Sequence, residues 1–207
     1  NHGGRQLDGA PPAIAALPAP GERLANRQGP ARLLVVGGSL GARALNEQVA
    51  LALALLPPQL RPLVRHQAGE QTLEIARQAY AAGGVAAEVT PFIADMAAAY
   101  GWADLVLCRA GALTVSELAA AGLGAVLVPY PHAVDDHQTA NARVLADGGA
   151  AEFPPHPHLT PAHLGAALGR LRGDRPRLLA MAESARALAA PDAAGHIAAA
   201  CLAEIHP

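Results

Sequence analysis

Aromatic residues make up only 3% of this 207-residue chain, and charged residues only 15%. So few aromatics argue against a β-sandwich core and for helices packed closely on a sheet. Cysteine is nearly absent. Cys108 lies on an apolar stretch and Cys201 near the far end, a pattern that fits neither a disulfide framework nor a zinc site and points to a reducing compartment. A formal net charge of −2 gives no electrostatic reason to bind nucleic acid or an anionic membrane. No apolar run approaches the ~20 residues of a membrane span. The first residues do not read as a signal peptide. There is no internal repeat and no low-complexity tract beyond an Ala/Leu bias.

What the chain has in abundance is small and aliphatic: hydrophobic residues reach 52%, enough for a real core in one large domain. Its organising stretch is 105–117. The run Leu105–Cys108 reads as a buried parallel strand. Arg109, Ala110, Gly111, Ala112 and Leu113 form a tight turn, and Thr114 to Glu117 opens an Ala-rich helix that stops at Gly122. A strand, a small-residue turn and a helix start aim bare N–H groups and a positive helix end at one spot, where a phosphate is the natural guest. Glu117, placed in the first turn, is then within reach of sugar hydroxyls. Thr-x-x-Glu is equally a capping box that binds nothing.

Residues 1–30 are rich in Gly and Pro, lack periodicity and read as a linker or crossing segment; a chain that begins so suggests an upstream domain. Strands are expected at 32–36, 60–66, 85–91, 105–108, 125–128 and 150–153. Pro62 makes the second short or an edge. Helices are expected at 42–55, 70–82, 95–100, 114–121, 136–146, 160–171, 175–189 and 192–205, with Thr160-Pro161 as a cap and first position. This alternation means an α/β fold, a Rossmann-like parallel sheet flanked by helices and joined by right-handed crossovers. Ligands of such sheets bind beyond the carboxyl ends of the strands. The loops collected there are 37–41, 67–69, 92–96, 109–114 and 130–138.

Gly37-Gly38-Ser39-Leu40-Gly41 has three readings. It is a glycine turn that lets backbone approach a diphosphate, with the Ser39 hydroxyl as a donor. It also fits G-x-S-x-G, the nucleophile elbow of α/β-hydrolases, with Asp136 and His156 or His158 downstream and His2-Gly3-Gly4 as an oxyanion loop. Those histidines sit in Pro-His-Pro-His, with nothing to fix them. The third reading is a plain βα turn. In 130–138, His132, Asp135, Asp136 and His137 match no familiar zinc spacing. The loop reads instead as a helix start capped by Asp135 or Asp136, with His137 and Gln138 facing the cleft. Phe92, Ile93 and Met96 offer either an apolar slot for a flat base or two core residues in a turn. Arg109 is a phosphate cation or a solvated charge.

Four blocks, Val-Val-Gly-Gly-Ser-Leu-Gly-Ala-Arg-Ala-Leu-Asn (35–46), Phe-Ile-Ala-Asp-Met-Ala-Ala-Ala-Tyr (92–100), Ala-Asp-Leu-Val-Leu-Cys-Arg-Ala-Gly-Ala-Leu-Thr-Val-Ser-Glu (103–117) and Asp-Asp-His-Gln-Thr-Ala-Asn-Ala (135–142), together resemble the MurG family of UDP-N-acetylglucosamine transferases. The resemblance runs from about residue 14 to the end. It implies the C-terminal, donor-binding half of an inverting GT-B glycosyltransferase that adds N-acetylglucosamine to a lipid-linked muramyl-pentapeptide in peptidoglycan synthesis. By position it implies uracil on the Ile93 backbone, Phe92 and Met96 lining the base pocket, and ribose on Glu117. Ser39, Ala112, Leu113 and Thr114, with Arg109, would meet the diphosphate, and His137 and Gln138 the N-acetylglucosamine. It implies no cofactor, no metal and no catalytic residue in this chain. The lipid-linked acceptor and the membrane contact, on the cytoplasmic face of the bacterial inner membrane, belong to an N-terminal domain. On this reading 31–207 is the UDP-sugar domain, and 1–30 is a terminal segment in which residues 1–13 lack the family's interdomain motif.

Overall fold

A computed structural model describes residues 10–37, 43–128, 137–153 and 160–189. Two short helices, α1 (Pro12–Ala15) and α2 (Pro20–Leu24), precede strand β1 (Arg32–Val36). Then follow α3 (Arg43–Ala54), β2 (Leu63–Gln67), α4 (Leu73–Ala82), β3 (Glu88–Thr90), α5 (Met96–Trp102), β4 (Leu105–Cys108) and α6 (Ala112–Ala121). The remainder is β5 (Ala125–Leu127), α7 (His137–Asp147), β6 (Ala151–Glu152), α8 (Pro161–Leu171) and α9 (Arg175–Leu188).

The six strands form one sheet in the order β3-β2-β1-β4-β5-β6, with every pair parallel. The period of two sends alternate side chains to opposite faces. Leu33 and Val35 join one core with α3, α4, α8 and α9, while Leu34, Val106 and Cys108 join the other with α1, α5, α6 and α7. The order reverses direction between β1 and β4, which opens a crevice at the carboxyl rim. β1 and β4 occupy the expected residues. β2 differs: it lies inside the sheet between β1 and β3, not at an edge. Pro62 sits just before it and so removes no ladder donor, and the first hydrogen bond runs from Leu63 N–H to Ala31 O at 2.8 Å.

The stretch read as a linker or crossing segment is anchored to the domain at a few points from residue 14 onward. Ile14 and Leu24 are buried, and Arg27 reaches Asp104 at 2.7 Å. Asp104, at the amino end of β4, is fully buried and doubly paired, with Arg175 on its second oxygen at 2.9 Å and the Arg32 N–H at 3.0 Å. A second buried network stiffens the opposite end of the sheet. The Asn46 amide donates to Ala68 O and to Thr72 Oγ1, which spends its hydrogens. Its oxygen therefore accepts from His66 Nε2 at 2.9 Å, and His66 Nδ1 accepts from the Tyr80 hydroxyl at 2.8 Å. Burial pushes the His66 pKa down to about 4, so the ring is neutral.

Candidate functional site

Because all strands are parallel, the turns after β1, β2, β3, β4 and β5 emerge at one rim. The turn after β4 is the best defined. Its helix begins two residues earlier than the sequence suggests: Gly111 is the N-cap of α6, and Ala112, Leu113 and Thr114 form the first turn. Glu117 therefore lies in the second turn, not the first. No side chain caps this end, so the Thr114–Glu117 capping box does not form. The first backbone bond runs from Val115 N–H to Gly111 O, leaving the N–H groups of Ala112, Leu113 and Thr114 without an intrahelical acceptor. At the other end the helix is closed by Gly122 in the left-handed region (φ 63°), and Arg23 donates to the Ala121 carbonyl at 2.8 Å and to that of Gly122. The protein thus answers the negative end of α6 with a cation and leaves the positive end facing the crevice.

The other described candidate residues lie on neighbouring segments of the same rim. Glu117 is half-buried and accepts a hydrogen bond from the Tyr100 hydroxyl at 2.8 Å. The bond ties α6 to α5, whose start is capped by Asp95 accepting from Ala98 N–H at 2.9 Å. Ile93 and Met96 are partly buried against the second core, whereas Phe92 projects with 62% of its surface exposed. Leu113 is also exposed, at 59%. Arg109 lies just past β4 and donates to the Val128 carbonyl at 3.2 Å. His137, exposed, and Gln138, half-buried, begin α7. Asn141, one turn on, donates to the Ala110 carbonyl at 3.0 Å and holds the start of α7 against the β4–α6 turn. Phe92, Ile93, Met96, Arg109, Ala112, Leu113, Thr114, Glu117, His137 and Gln138 are thus all on rim turns or in the first two turns of the helices that follow them. Ser39, and with it the glycine turn, lies outside the described residues, as do His132, Asp135, Asp136, His156, His158, Cys201 and the helix expected at 192–205. Among the described residues no group of three or more His, Cys, Asp or Glu is placed to hold a metal ion. No helix there is long and apolar enough to cross a membrane.

Two contributors escaped the sequence. Tyr100 is a pair formed across two helices 17 residues apart, and no local pattern announces it. Asn141 had a weak signal, since it falls four residues after His137 on the same helix face.

Residues 32–197 match the family model of the glycosyltransferase family 28 C-terminal domain. The chain belongs to this family. Family 28 membership gives the sheet its wider context, the C-terminal half of the GT-B glycosyltransferase architecture. The chain is 58% identical over 189 residues to the UDP-N-acetylglucosamine–N-acetylmuramyl-(pentapeptide) pyrophosphoryl-undecaprenol N-acetylglucosamine transferase of Marinobacter nauticus, covering 91% of this chain and 52% of that protein. The protein of the same name from Alkalilimnicola ehrlichii is 56% identical over 192 residues, covering 93% of this chain and 54% of that one. The chain therefore spans about half the length of the curated relatives it matches. The crystal structure of Acinetobacter baumannii MurG superposes with a TM-score of 0.79 at 45% identity, over 89% of this chain and 53% of that one. WaaG, a glycosyltransferase of lipopolysaccharide biosynthesis, shares the fold alone, at 22% identity and TM-score 0.63 over 87% of this chain and 48% of that one. The hydrolase reading finds no support in these relatives.

Proposed function

We propose that this domain holds UDP-N-acetylglucosamine as the donor half of an inverting glycosyltransferase. In the whole protein the sugar passes to a lipid-linked muramyl-pentapeptide, an intermediate of peptidoglycan synthesis. The observation that carries this is the uncapped start of α6 at the switch point, with a half-buried carboxylate one turn behind it. The N–H groups of Ala112, Leu113 and Thr114, the positive helix end and Arg109 meet the diphosphate, with Ser39 adding a donor from the glycine turn. Glu117 takes the ribose hydroxyls. Ile93 holds uracil through its backbone, between Phe92 and Met96, and His137 and Gln138 face the N-acetylglucosamine.

In the reaction, an acceptor hydroxyl forms a bond to the anomeric carbon from the side opposite UDP, and the bond from that carbon to the diphosphate breaks. The electron pair leaves with UDP, where fixed N–H donors and the dipole of α6 receive the growing charge. The proton of the attacking hydroxyl goes to a base in the other half of the full-length enzyme. That half also supplies the acceptor site and the contact with the cytoplasmic membrane face. The domain alone binds donor weakly and transfers nothing.

Isothermal titration with UDP-N-acetylglucosamine tests this reading. One donor per chain is expected, and Glu117→Ala is expected to weaken binding by roughly 1–3 kcal/mol. Absence of heat at millimolar donor overturns the donor site, and unaided sugar transfer overturns the division of labour.

A further inference from the structure

We propose that Tyr100 is a positioning residue that fixes the Glu117 carboxylate, and that the pair makes this site select ribonucleotide over 2′-deoxyribonucleotide donors. The inference rests on the reading that Glu117 meets the ribose.

The Tyr100 side chain is fully buried, its ring packed in the core that contains Leu34, Val106, Cys108 and Leu118. Its hydroxyl donates to Glu117 Oε2 at 2.8 Å. A glutamate on a helix surface has three rotatable bonds, and an unanchored head group would sample many positions. Anchoring one oxygen to a group that cannot move narrows the positions open to the other. The anchor is a dedicated donor: burial and the neighbouring Glu117 carboxylate both raise the Tyr100 pKa, so the phenol keeps its proton. The Cys108 thiol, fully buried on β4, is pushed up to about 12 by burial and then by Glu117, and it too stays neutral beside the carboxylate. Tyr100 also lies one helical turn after Met96, so the base-facing segment and the ribose carboxylate are held by the same short helix.

The consequence for specificity follows from counting acceptors. An ionised carboxylate has about four lone-pair sites, and Tyr100 occupies one. On the ribose reading, the oxygen that Tyr100 does not hold is the one that takes the two ribose hydroxyls. A 2′-deoxyribose supplies one hydroxyl fewer and leaves an anchored acceptor unpaired, which a site built to hydrogen-bond that hydroxyl penalises. If Glu117 were loose, it could turn to water, and the penalty would shrink.

Tyr100→Phe removes only the hydroxyl and is titrated with UDP and with 2′-deoxy-UDP, beside the wild type and Glu117→Ala. The wild type is expected to prefer UDP by roughly tenfold or more. In Tyr100→Phe the UDP affinity is expected to fall about five- to tenfold while that for 2′-deoxy-UDP stays within about twofold, so the preference nearly vanishes. Adding Tyr100→Phe to Glu117→Ala should change nothing further, since both act through one contact. Tyr100→Met, which fills the space without a hydroxyl, should repeat the pattern and covers the case in which the Phe variant folds poorly. Equal weakening for both nucleotides, or a preserved preference, in the Tyr100 variants overturns the proposal while leaving Glu117 at the ribose. A preference that survives Glu117→Ala overturns the ribose reading itself, and the proposal with it.

Discussion

Asp104→Asn is expected to be among the most destabilising single changes at the amino end of the sheet. Both carboxylate oxygens are paired, one with Arg27 at 2.7 Å and the other with Arg175 at 2.9 Å and the Arg32 N–H at 3.0 Å, and the side chain has no exposure. Removing the charge leaves two guanidinium groups facing a neutral amide. Losing one partner of a buried pair costs about 3–5 kcal/mol. The Arg175 side chain is 30% exposed and can turn to water, whereas Arg27, at 11%, is also held by the carbonyls of Trp102 and Gly101. The expected loss is therefore about 3 kcal/mol, at the lower end of that range. For a domain of this size each kcal/mol moves Tm by about 2–4 °C, so a drop of roughly 6–12 °C is expected by circular dichroism. Arg175→Ala should cost only about 1 kcal/mol, because its arm is partly solvated. Asp104 lies at the opposite end of β4 from the carboxyl rim where the nucleotide is proposed to bind, so UDP affinity should not change. A loss below about 1 kcal/mol for Asp104→Asn, or weakened nucleotide binding without lost stability, refutes this reasoning.

Three further outcomes are expected. Gly122→Ala should lose about 2 kcal/mol or more in urea unfolding, because φ is 63° and the new Cβ would meet Pro20 Cγ at 2.8 Å and Arg186 Cβ at 3.1 Å. Gly101→Ala in α5, whose Cβ would meet only Leu17 Cδ2 at 3.4 Å, should stay within about 1 kcal/mol of the wild type. His66 titrates near 4 when folded, against 6.5 ordinarily, so the unfolded chain takes up a proton that the folded chain refuses. Its contribution is present above pH 6.5 and is lost as the pH falls toward 4, by up to roughly 3 kcal/mol, in urea titrations at several pH values; His66→Gln should flatten that slope.

Legibility followed how local each signal is. β4 is a short, continuously apolar run and β1 is one after its first residue, Arg32, so their limits could be read directly. The αL stop at Gly122 and the Thr160 cap, which accepts from His163 N–H, are also local and were legible. The start of α6 was misjudged because Thr114 looks like a cap, whereas Gly111 takes that position with no side chain to announce it. The packing of the first described residues was missed for a different reason. Ile14 and Arg27 are fixed by partners far along the chain, in the second core and at Asp104, and a segment without periodicity gives no hint of them. That the described candidate residues fall at one rim is legible because parallel topology sends those turns to the same end, while the Tyr100–Glu117 contact, made across two helices, is not.

Amide-proton mapping on addition of UDP-N-acetylglucosamine tests most directly whether the carboxyl rim holds the nucleotide sugar. Shifts are expected at Ile93, at Ala112, Leu113 and Thr114, at Glu117, and at the start of α7, with Asp104, Gly124 and Gly29 at the other end of the sheet unmoved. Shifts centred on that far end, or none at saturating donor, would contradict it.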